Sequence, residues 1–265
     1  MGWDNPPVSW RELQRRMSWG TVAEPPAARP AGRRRRPVPR PARTTPWAEL
    51  HCHSSFSFLD GAATPGELVA EAARLGIEVL ALTDHDGMYG VPQFAQAAAR
   101  LAGRGGPKLG TVFGAELSIG LPANPGQPPD PEGRHLLVLA RDAEGYRRLC
   151  AVISAAQLAG GEKGRPVYDT GALVGAHGGH WVVLTGCRKG AVPAALAAGG
   201  PGAAWRELGR LTGMFGHENV MVELNCHHDP GDDERNDLLA RLAVLADVGV
   251  VATGNVHFEI GRAHV

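Results

Sequence analysis

The sequence predicts an α/β barrel domain over residues 47–258, preceded by a disordered basic leader over residues 1–46. Strand-like and helix-like patterns alternate from Trp47 onward, as in proteins built from βαβ units. Side chains able to bind metal gather at the ends of these strands, where the loops of a parallel barrel form its sites. The composition agrees, because 43% apolar residues, 20% charged residues and 36 glycines suit a compact α/β protein.

The leader is the one strongly charged part of the chain. Residues 1–46 contain ten arginines against three acidic residues, a net charge of +7, although the whole chain balances at 27 basic and 27 acidic residues. A Pro-, Ala- and Arg-rich segment of this kind cannot bury a core, so a flexible or polyproline-like conformation is expected. Two interpretations stay open: a nucleic-acid contact through phosphate neutralisation, or a solvated tail without a binding role.

The bulk properties exclude several classes of protein. No run of about 18 apolar residues is present and the N-terminus lacks a secretory apolar region, so a cytoplasmic location away from the membrane is expected. The four cysteines are scattered and form no C-x-x-C pair, which argues against a disulfide framework or a zinc ribbon.

Seven strands and five helices are predicted after the leader. The strands are "WAELHCHS", "EVLALTDH", "TVFGAELSIG", "HLLVLA", "HWVVLTGC", "NVMVELNCHH" and "VGVVATGNVHF". The helices are "TPGELVAEAARLG", "VPQFAQAAARLAG", "EGYRRLCAVISAAQLAG", "AAWRELGRLTGMFG" and "ERNDLLARLAVLADVG". The first helix opens with a capping box from Thr64 to Glu67 and closes at Gly76. The alternation predicts parallel pairing, and seven such strands fit a barrel related to the TIM type better than an open sheet.

Most metal-capable side chains stand at the carboxyl ends of these strands. In the H-x-H pair of the first strand, His51 and His53 are two residues apart, so they share a face and can bind one ion. His135 is the exception, because it opens its strand, and the sequence offers no reason for that placement. The "TDHDG" segment could be an ordinary turn, but the buried strand that leads into it favours a site.

The ordered motifs "LHCHSSFSFLDGA", "ALTDHDGMYG", "VFGAEL", "HLLVLARDAEGYRRL", "LTGCRKG" and "VATGNVHF" resemble the PHP (polymerase and histidinol phosphatase) domain. More narrowly, they resemble the N-terminal domain of bacterial C-family DNA polymerase α subunits, of the error-prone accessory type linked to damage-induced mutagenesis. The resemblance covers residue 1 to about residue 258. It implies a distorted seven-stranded (β/α) barrel in which nine side chains hold up to three divalent ions such as Zn, Mn or Mg.

The resemblance also implies a ligand set. The first ion would be bound by His51, His53 and Glu116, and Glu116 would bridge to a second ion. The other predicted ligands are His135 and Cys187 at the second ion, Asp60, His85 and His257 at the third, and Asn255 at the first. In active members an aspartate stands at the position of Asn255. A neutral amide oxygen is a weaker ligand for a hard cation than a carboxylate, so a partial site is expected.

The last seven residues, 259–265, fit neither the family nor the preceding pattern. "EIGRAHV" can be back-translated into a widely used sequencing-adapter sequence, so we expect a non-native tail and a truncated chain. This hypothesis would be contradicted if the genomic locus itself encodes these seven residues.

Three functions follow from the resemblance. In the first, the domain binds metal and supports an error-prone polymerase whose partners are DNA, the polymerase core and possible clamp and mutagenesis accessory proteins. In the second, clustered ions activate a metal-bound hydroxide for phosphoester hydrolysis or 3′–5′ exonuclease activity, with no attacking serine or cysteine. The third is a free-standing small-molecule phosphatase, and Asp60 speaks against it because phosphatases carry histidine there. The first is favoured, since an error-prone polymerase has little use for proofreading.

Overall fold

The computed structural model describes residues 46–121, 133–162, 164–258 and 260. All of them belong to one compact unit of the chain, Arg43–Val265. The predicted leader and the predicted non-native tail fall almost wholly outside the described residues and stay predictions. Within the described ranges, no helix is long and apolar enough to cross a membrane.

Seven strands form one sheet in which each strand neighbours the next along the chain. The strands are β1 (Ala48–Glu49), β2 (Val79–Leu82), β3 (Gly110–Ile119), β4 (Arg134–Ala140), β5 (Trp181–Leu184), β6 (Val220–Asn225) and β7 (Gly249–Thr253). Beyond the ends of β1 and β7 a parallel bridge joins Cys52 to Val256. Two backbone hydrogen bonds support that bridge, from His53 N to Val256 O (2.8 Å) and from Val256 N to His51 O (2.9 Å). The predicted seven-stranded barrel is therefore confirmed.

Six helices surround this sheet in the described part of the chain. They are α1 (Pro65–Leu75), α2 (Val91–Gly103), α3 (Ala143–Gly160), α4 (Thr170–His177), α5 (Ala191–Phe215) and α6 (Asp232–Ala246). The predicted capping box is present, because the Thr64 side chain accepts from Glu67 N while the Glu67 side chain accepts from Thr64 N. Gly76 ends α1 in the left-handed conformation that favours glycine.

Two helical segments were missed by the sequence prediction. The short α4 begins at the Asp169 cap, and the first half of α5 precedes a kink at Gly200, whose φ of 71° is not helical. Both segments are built largely of Ala, Gly, Val and Leu, so neither shows the polar and apolar alternation on which the other predictions rested.

The prediction of parallel pairing is wrong at β4. The sheet is parallel from β1 to β3 and again from β5 to β7, but β4 is antiparallel to both β3 and β5. The physical reason can be read from the connection "GLPANPGQPPDPEG", whose five prolines provide no pattern for the crossover helix that parallel strands usually need. Reversing β4 brings its N-terminal end to the mouth where the other strands end.

The barrel interior is apolar at one end and polar at the other. Ala81, Leu137, Leu139 and Leu184 form a small interior cluster. The two larger apolar clusters pack helices against the outside of the sheet. Towards the mouth, buried carboxylates and imidazoles replace the interior aliphatic side chains.

Candidate metal centre

The candidate site lies at the mouth, where six of the seven strands, or the loops after them, contribute the predicted ligands. His51 and His53 follow β1, and His85 follows β2. Glu116 lies within β3, and a parallel bridge aligns it with His85. His135 is the second residue of β4, and the reversal of that strand explains how a histidine at a strand start reaches the same mouth.

One buried trio has the spacing of ligands that share an ion. The Nε2 atoms of His51 and His53 are 3.1 Å apart, and they lie 3.4 and 3.3 Å from the two carboxylate oxygens of Glu116. Zinc–nitrogen bonds of about 2.0–2.1 Å in tetrahedral geometry place neighbouring donor atoms about 3.3 Å apart. The spacing of the trio therefore matches that of ligands around one ion.

Hydrogen bonds fix the tautomer of His53 so that its Nε2 faces Glu116. The Ser57 hydroxyl donates to Asp84 Oδ1 (2.8 Å), so it must accept from His53 Nδ1 at 3.1 Å. Nδ1 then carries the proton, and the lone pair of Nε2 points into the trio. Burial and the neighbouring His85 lower the pKa of His53 to about 3, which keeps the ring neutral at neutral pH.

Glu116 is the central group of the cluster. Its Oε2 lies 3.2 Å from His135 Nδ1 and 3.5 Å from His85 Nδ1, and these three residues form a second candidate group. Cys187 Sγ is 3.9 Å from Glu116 Oε1 and 3.7 Å from His135 Nδ1. One carboxylate thus touches both groups, as a bridging ligand would.

Asp60 joins the loop after β1 to the loop after β7. Its Oδ2 lies 2.9 Å from His257 Nδ1 and 3.2 Å from His85 Nε2. The ring of His53 is stacked between those of His85 and His257, with centroids 4.6 and 4.7 Å away. His53, Asp60 and His257 form a third candidate group. This group differs from the one that the resemblance implies, which has His85 in place of His53.

Asn255 precedes His257 by two residues and has a left-handed conformation, with a φ of 44°. Its Oδ1 is buried and has no hydrogen-bond partner in the described part of the chain. A buried amide oxygen without a partner costs free energy, and a cation is one group that would satisfy it. No hydrogen bond connects Asn255 Oδ1 to the eight other predicted ligands.

The electrostatics of the cluster are those of buried acids balanced by imidazoles. Burial alone lowers the pKa of His51, but the carboxylates of Glu223 and Glu116 raise it well above its ordinary value. Burial raises the pKa of Glu116, but the charge of His51 and the hydrogen bond from His135 bring it well below the ordinary value. Asp60 likewise has a depressed pKa, because its bonds to His257 and His85 outweigh burial. The buried carboxylates of the centre therefore favour positive charge beside them, as the ligands of a cation site do.

Two buried acids beneath the predicted ligands were missed by the sequence analysis. Glu223 on β6 lies 2.7 Å from His51 Nδ1. Glu49 on β1 accepts hydrogen bonds from Gly254 N at 2.9 Å and from His51 N at 3.2 Å. The available signal was an acidic residue inside an otherwise apolar strand, in "VMVELN" and "WAEL".

Other polar residues of the motifs support the loops. Asp84 accepts from Ser54 N (2.7 Å) and from the Ser54 and Ser57 hydroxyls, which holds the loop after β1. Asp86, the second aspartate of "TDHDG", accepts from the Ser118 hydroxyl and from the Tyr168 hydroxyl. Both carboxylates have their hydrogen bonds within the protein, so they position the site and are not open to a ligand.

Comparisons with known proteins agree with the architecture. The family model of the PHP domain matches residues 49–227. An error-prone DNA polymerase of Mycolicibacterium paratuberculosis is 54% identical over 97% of this chain and 24% of its own length, and one of Cutibacterium acnes is 47% identical over 97% and 23%. The chain thus spans about a quarter of the length of the curated relatives it matches.

A solved amidohydrolase of Chromobacterium violaceum has the same fold. The similarity covers 82% of this chain and 91% of that one, with 17% identity and a TM-score of 0.50. This likeness concerns the fold alone. The match of the family model over most of the described barrel shows that this chain belongs to the PHP domain family.

Proposed function

We propose that this chain is the PHP domain of an error-prone DNA polymerase and that it binds divalent metal ions mainly to support that enzyme's structure. The buried trio of His51, His53 and Glu116 carries the proposal, because its donor atoms are spaced 3.1–3.4 Å apart. The relatives named error-prone DNA polymerase support the proposal that this domain belongs to such a polymerase.

A mainly structural role follows from the ligand at position 255. Asn255 supplies a neutral oxygen where active family members, by resemblance, have a carboxylate. The cluster retains one central acid, Glu116, which both buried groups share. Fewer negative ligands mean weaker binding of the cations that hydrolysis would need. Metal held by the neutral imidazoles would still tie β1, β3 and β4 together.

Metal-dependent phosphoester hydrolysis, including 3′–5′ exonuclease activity, is the second candidate. The observation in its favour is a partial opening of the site, since the side chains of Asp60 and His257 are 11% and 20% exposed. The His51, His53 and Glu116 side chains are at most 1% exposed. Bound divalent ions would supply Lewis-acid polarisation of a phosphoryl oxygen and activation of water. The chain's own contribution would be to hold the ions with these side chains and to leave the partly exposed edge at Asp60 and His257 open to the substrate phosphate.

The wider context is also part of the proposal. Template-directed DNA synthesis, contacts with DNA and with a polymerase core, and any contact with a sliding clamp or mutagenesis accessory proteins would belong to a longer protein in the bacterial cytoplasm. The names and lengths of the relatives support this context, because each relative is about four times as long as the aligned region.

The test is the metal content of the full chain purified without chelator, measured by elemental mass spectrometry. We expect one to three zinc, manganese or iron ions per chain, and a loss of at least one ion in His51→Ala. The matched control is His217→Ala, which removes an exposed histidine outside all three candidate groups and should leave the content unchanged. The proposal would be contradicted if the folded, unsubstituted chain held no metal after incubation with these ions. Nuclease activity that His51→Ala abolishes would favour the second candidate over the structural role.

A further inference from the structure

Glu223 has an unusual position for an acidic side chain. It lies on β6 in the barrel interior, and its side chain is fully buried. Its neighbours Val222 and Leu224 point the other way, into the apolar cluster beneath the helices. Two residues earlier, Met221 packs into the interior aliphatic cluster. Glu223 is therefore the point on β6 where the interior changes from apolar to polar.

The carboxylate contacts two side chains through a single oxygen. Oε1 lies 2.7 Å from His51 Nδ1 and also accepts a hydrogen bond from the Thr253 hydroxyl. The backbone N of Glu223 donates to the Thr185 hydroxyl at 2.9 Å, which fixes the strand beneath it. Oε2 has no hydrogen-bond partner among the described residues, so both side-chain contacts depend on Oε1.

The position of the proton follows from this contact. Oε1 already accepts a hydrogen from the Thr253 hydroxyl, so the hydrogen in its 2.7 Å contact with His51 must be carried by His51 Nδ1. In the neutral ring the lone pair is then on Nε2, the atom that lies 3.1 Å from His53 Nε2 and 3.4 Å from Glu116 Oε1. Carboxylates that accept from the second nitrogen of a metal-bound histidine orient the ring and increase its basicity.

We propose that Glu223 is a positioning residue that fixes the tautomer and the ring orientation of His51, so that Nε2 faces the metal ion. This inference rests on the proposed metal-binding function. It concerns a residue outside the nine predicted ligands, on a strand that supplies none of them. Glu223 acts through His51, and within the described part of the chain no hydrogen bond or ion pair joins its side chain to Glu116 or His53.

The test uses the full chain and zinc as the probe. Glu223→Gln keeps the shape of the side chain and removes the carboxylate. The matched control is Glu49→Gln, which also removes a buried interior carboxylate. The Glu49 side chain accepts a hydrogen bond from the backbone N of His51 and makes none with its ring. We expect zinc affinity, measured by chelator competition, to fall about 10–100-fold in Glu223→Gln and to change less than about threefold in Glu49→Gln.

A second readout separates positioning from general destabilisation. Long-range ¹H–¹⁵N spectra of histidine-labelled protein report which ring nitrogen of His51 carries hydrogen. In the zinc-loaded chain without substitutions, we expect Nδ1 of His51 to carry the hydrogen. In Glu223→Gln we expect a mixture of His51 tautomers or a loss of the Nδ1 signal. If Glu223→Gln does not fold, Glu223→Asp provides the test, because the shorter carboxylate cannot keep the 2.7 Å contact without movement.

The outcomes are distinguishable. Zinc binding by the parent, together with unchanged affinity and an unchanged His51 tautomer in a folded Glu223 variant, would overturn the inference and leave the proposed function standing. A folded parent that binds no zinc would overturn both.

Discussion

Replacing Asn255 with aspartate should lower stability much more in the absence of metal than in its presence. Asn255 Oδ1 is already buried without a hydrogen-bond partner, and its φ of 44° is one that aspartate also tolerates. Without metal, the new charge has no partner, and an unsatisfied buried group costs about 1–3 kcal/mol, more when it is charged. For a domain of this size, a loss of about 2 kcal/mol lowers Tm by roughly 4–8 °C.

With metal, the same carboxylate becomes a charged ligand. A tenfold gain in affinity adds about 1.4 kcal/mol to the free energy of unfolding at a fixed excess of metal, so most of the loss should be recovered. The assay is thermal denaturation of parent and variant in EDTA and in excess zinc or manganese, followed by phosphodiesterase measurements. Hydrolysis should rise if the carboxylate is the one missing ligand.

Asn236→Asp is the matched control for this experiment. Asn236 on α6 also has a buried Oδ1 without a partner, but it belongs to none of the candidate metal groups. Its aspartate variant should lose stability equally in EDTA and in metal. If Asn255→Asp behaves in the same way, with equal losses in both conditions, then Asn255 does not face an ion and the reasoning is refuted.

Three further predictions concern stability. Thr64→Ala removes the N-cap of α1 and should lower the free energy of unfolding by about 1 kcal/mol in chemical denaturation. Gly61→Ala should cost more and also reduce metal content, because an added Cβ would collide with the Ser54 carbonyl oxygen and displace the loop after β1. Metal-free protein should lose stability in acid as pH falls below 4.5, the ordinary pKa of Glu116, because its folded pKa is depressed. It should also lose stability as pH rises from 6.5 through the raised folded pKa of His51, and denaturation across pH in EDTA checks both directions.

The sequence was sufficient for features that depend on local chemistry. The cap at Thr64 and the presence of seven strands follow from residue patterns that act within a few positions, whereas closure of the barrel depends on the contact between the ends of β1 and β7. The closeness of His51 and His53 follows from strand geometry in the same way. These patterns do not depend on which distant strand lies alongside.

The features that were missed depend on tertiary pairing. His135 had no explanation until β4 was seen to be antiparallel, because the direction of a strand is decided by its partners and by the connection before it. Glu223 was missed for a similar reason: its role depends on the 172-residue separation across which it meets His51. An acidic residue in an apolar strand signals that a partner exists, but it does not identify that partner.

An amide at position 255 need not prevent metal binding, and the reason lies in the charge balance of the centre. Glu116 and Asp60 are the carboxylates among the nine predicted ligands, and both have depressed pKa values because imidazoles surround them. Burial lowers the pKa of His85, but Asp60 and Glu116 raise it above the ordinary value, as Glu223 and Glu116 do for His51. The metal-free centre therefore holds positive charge as bound protons, and a divalent ion would take the place of such protons. A neutral amide at position 255 would lower the demand for that charge by one unit relative to a carboxylate, whereas the carboxylate of Glu116 still favours a cation at the point where the two groups that share it meet.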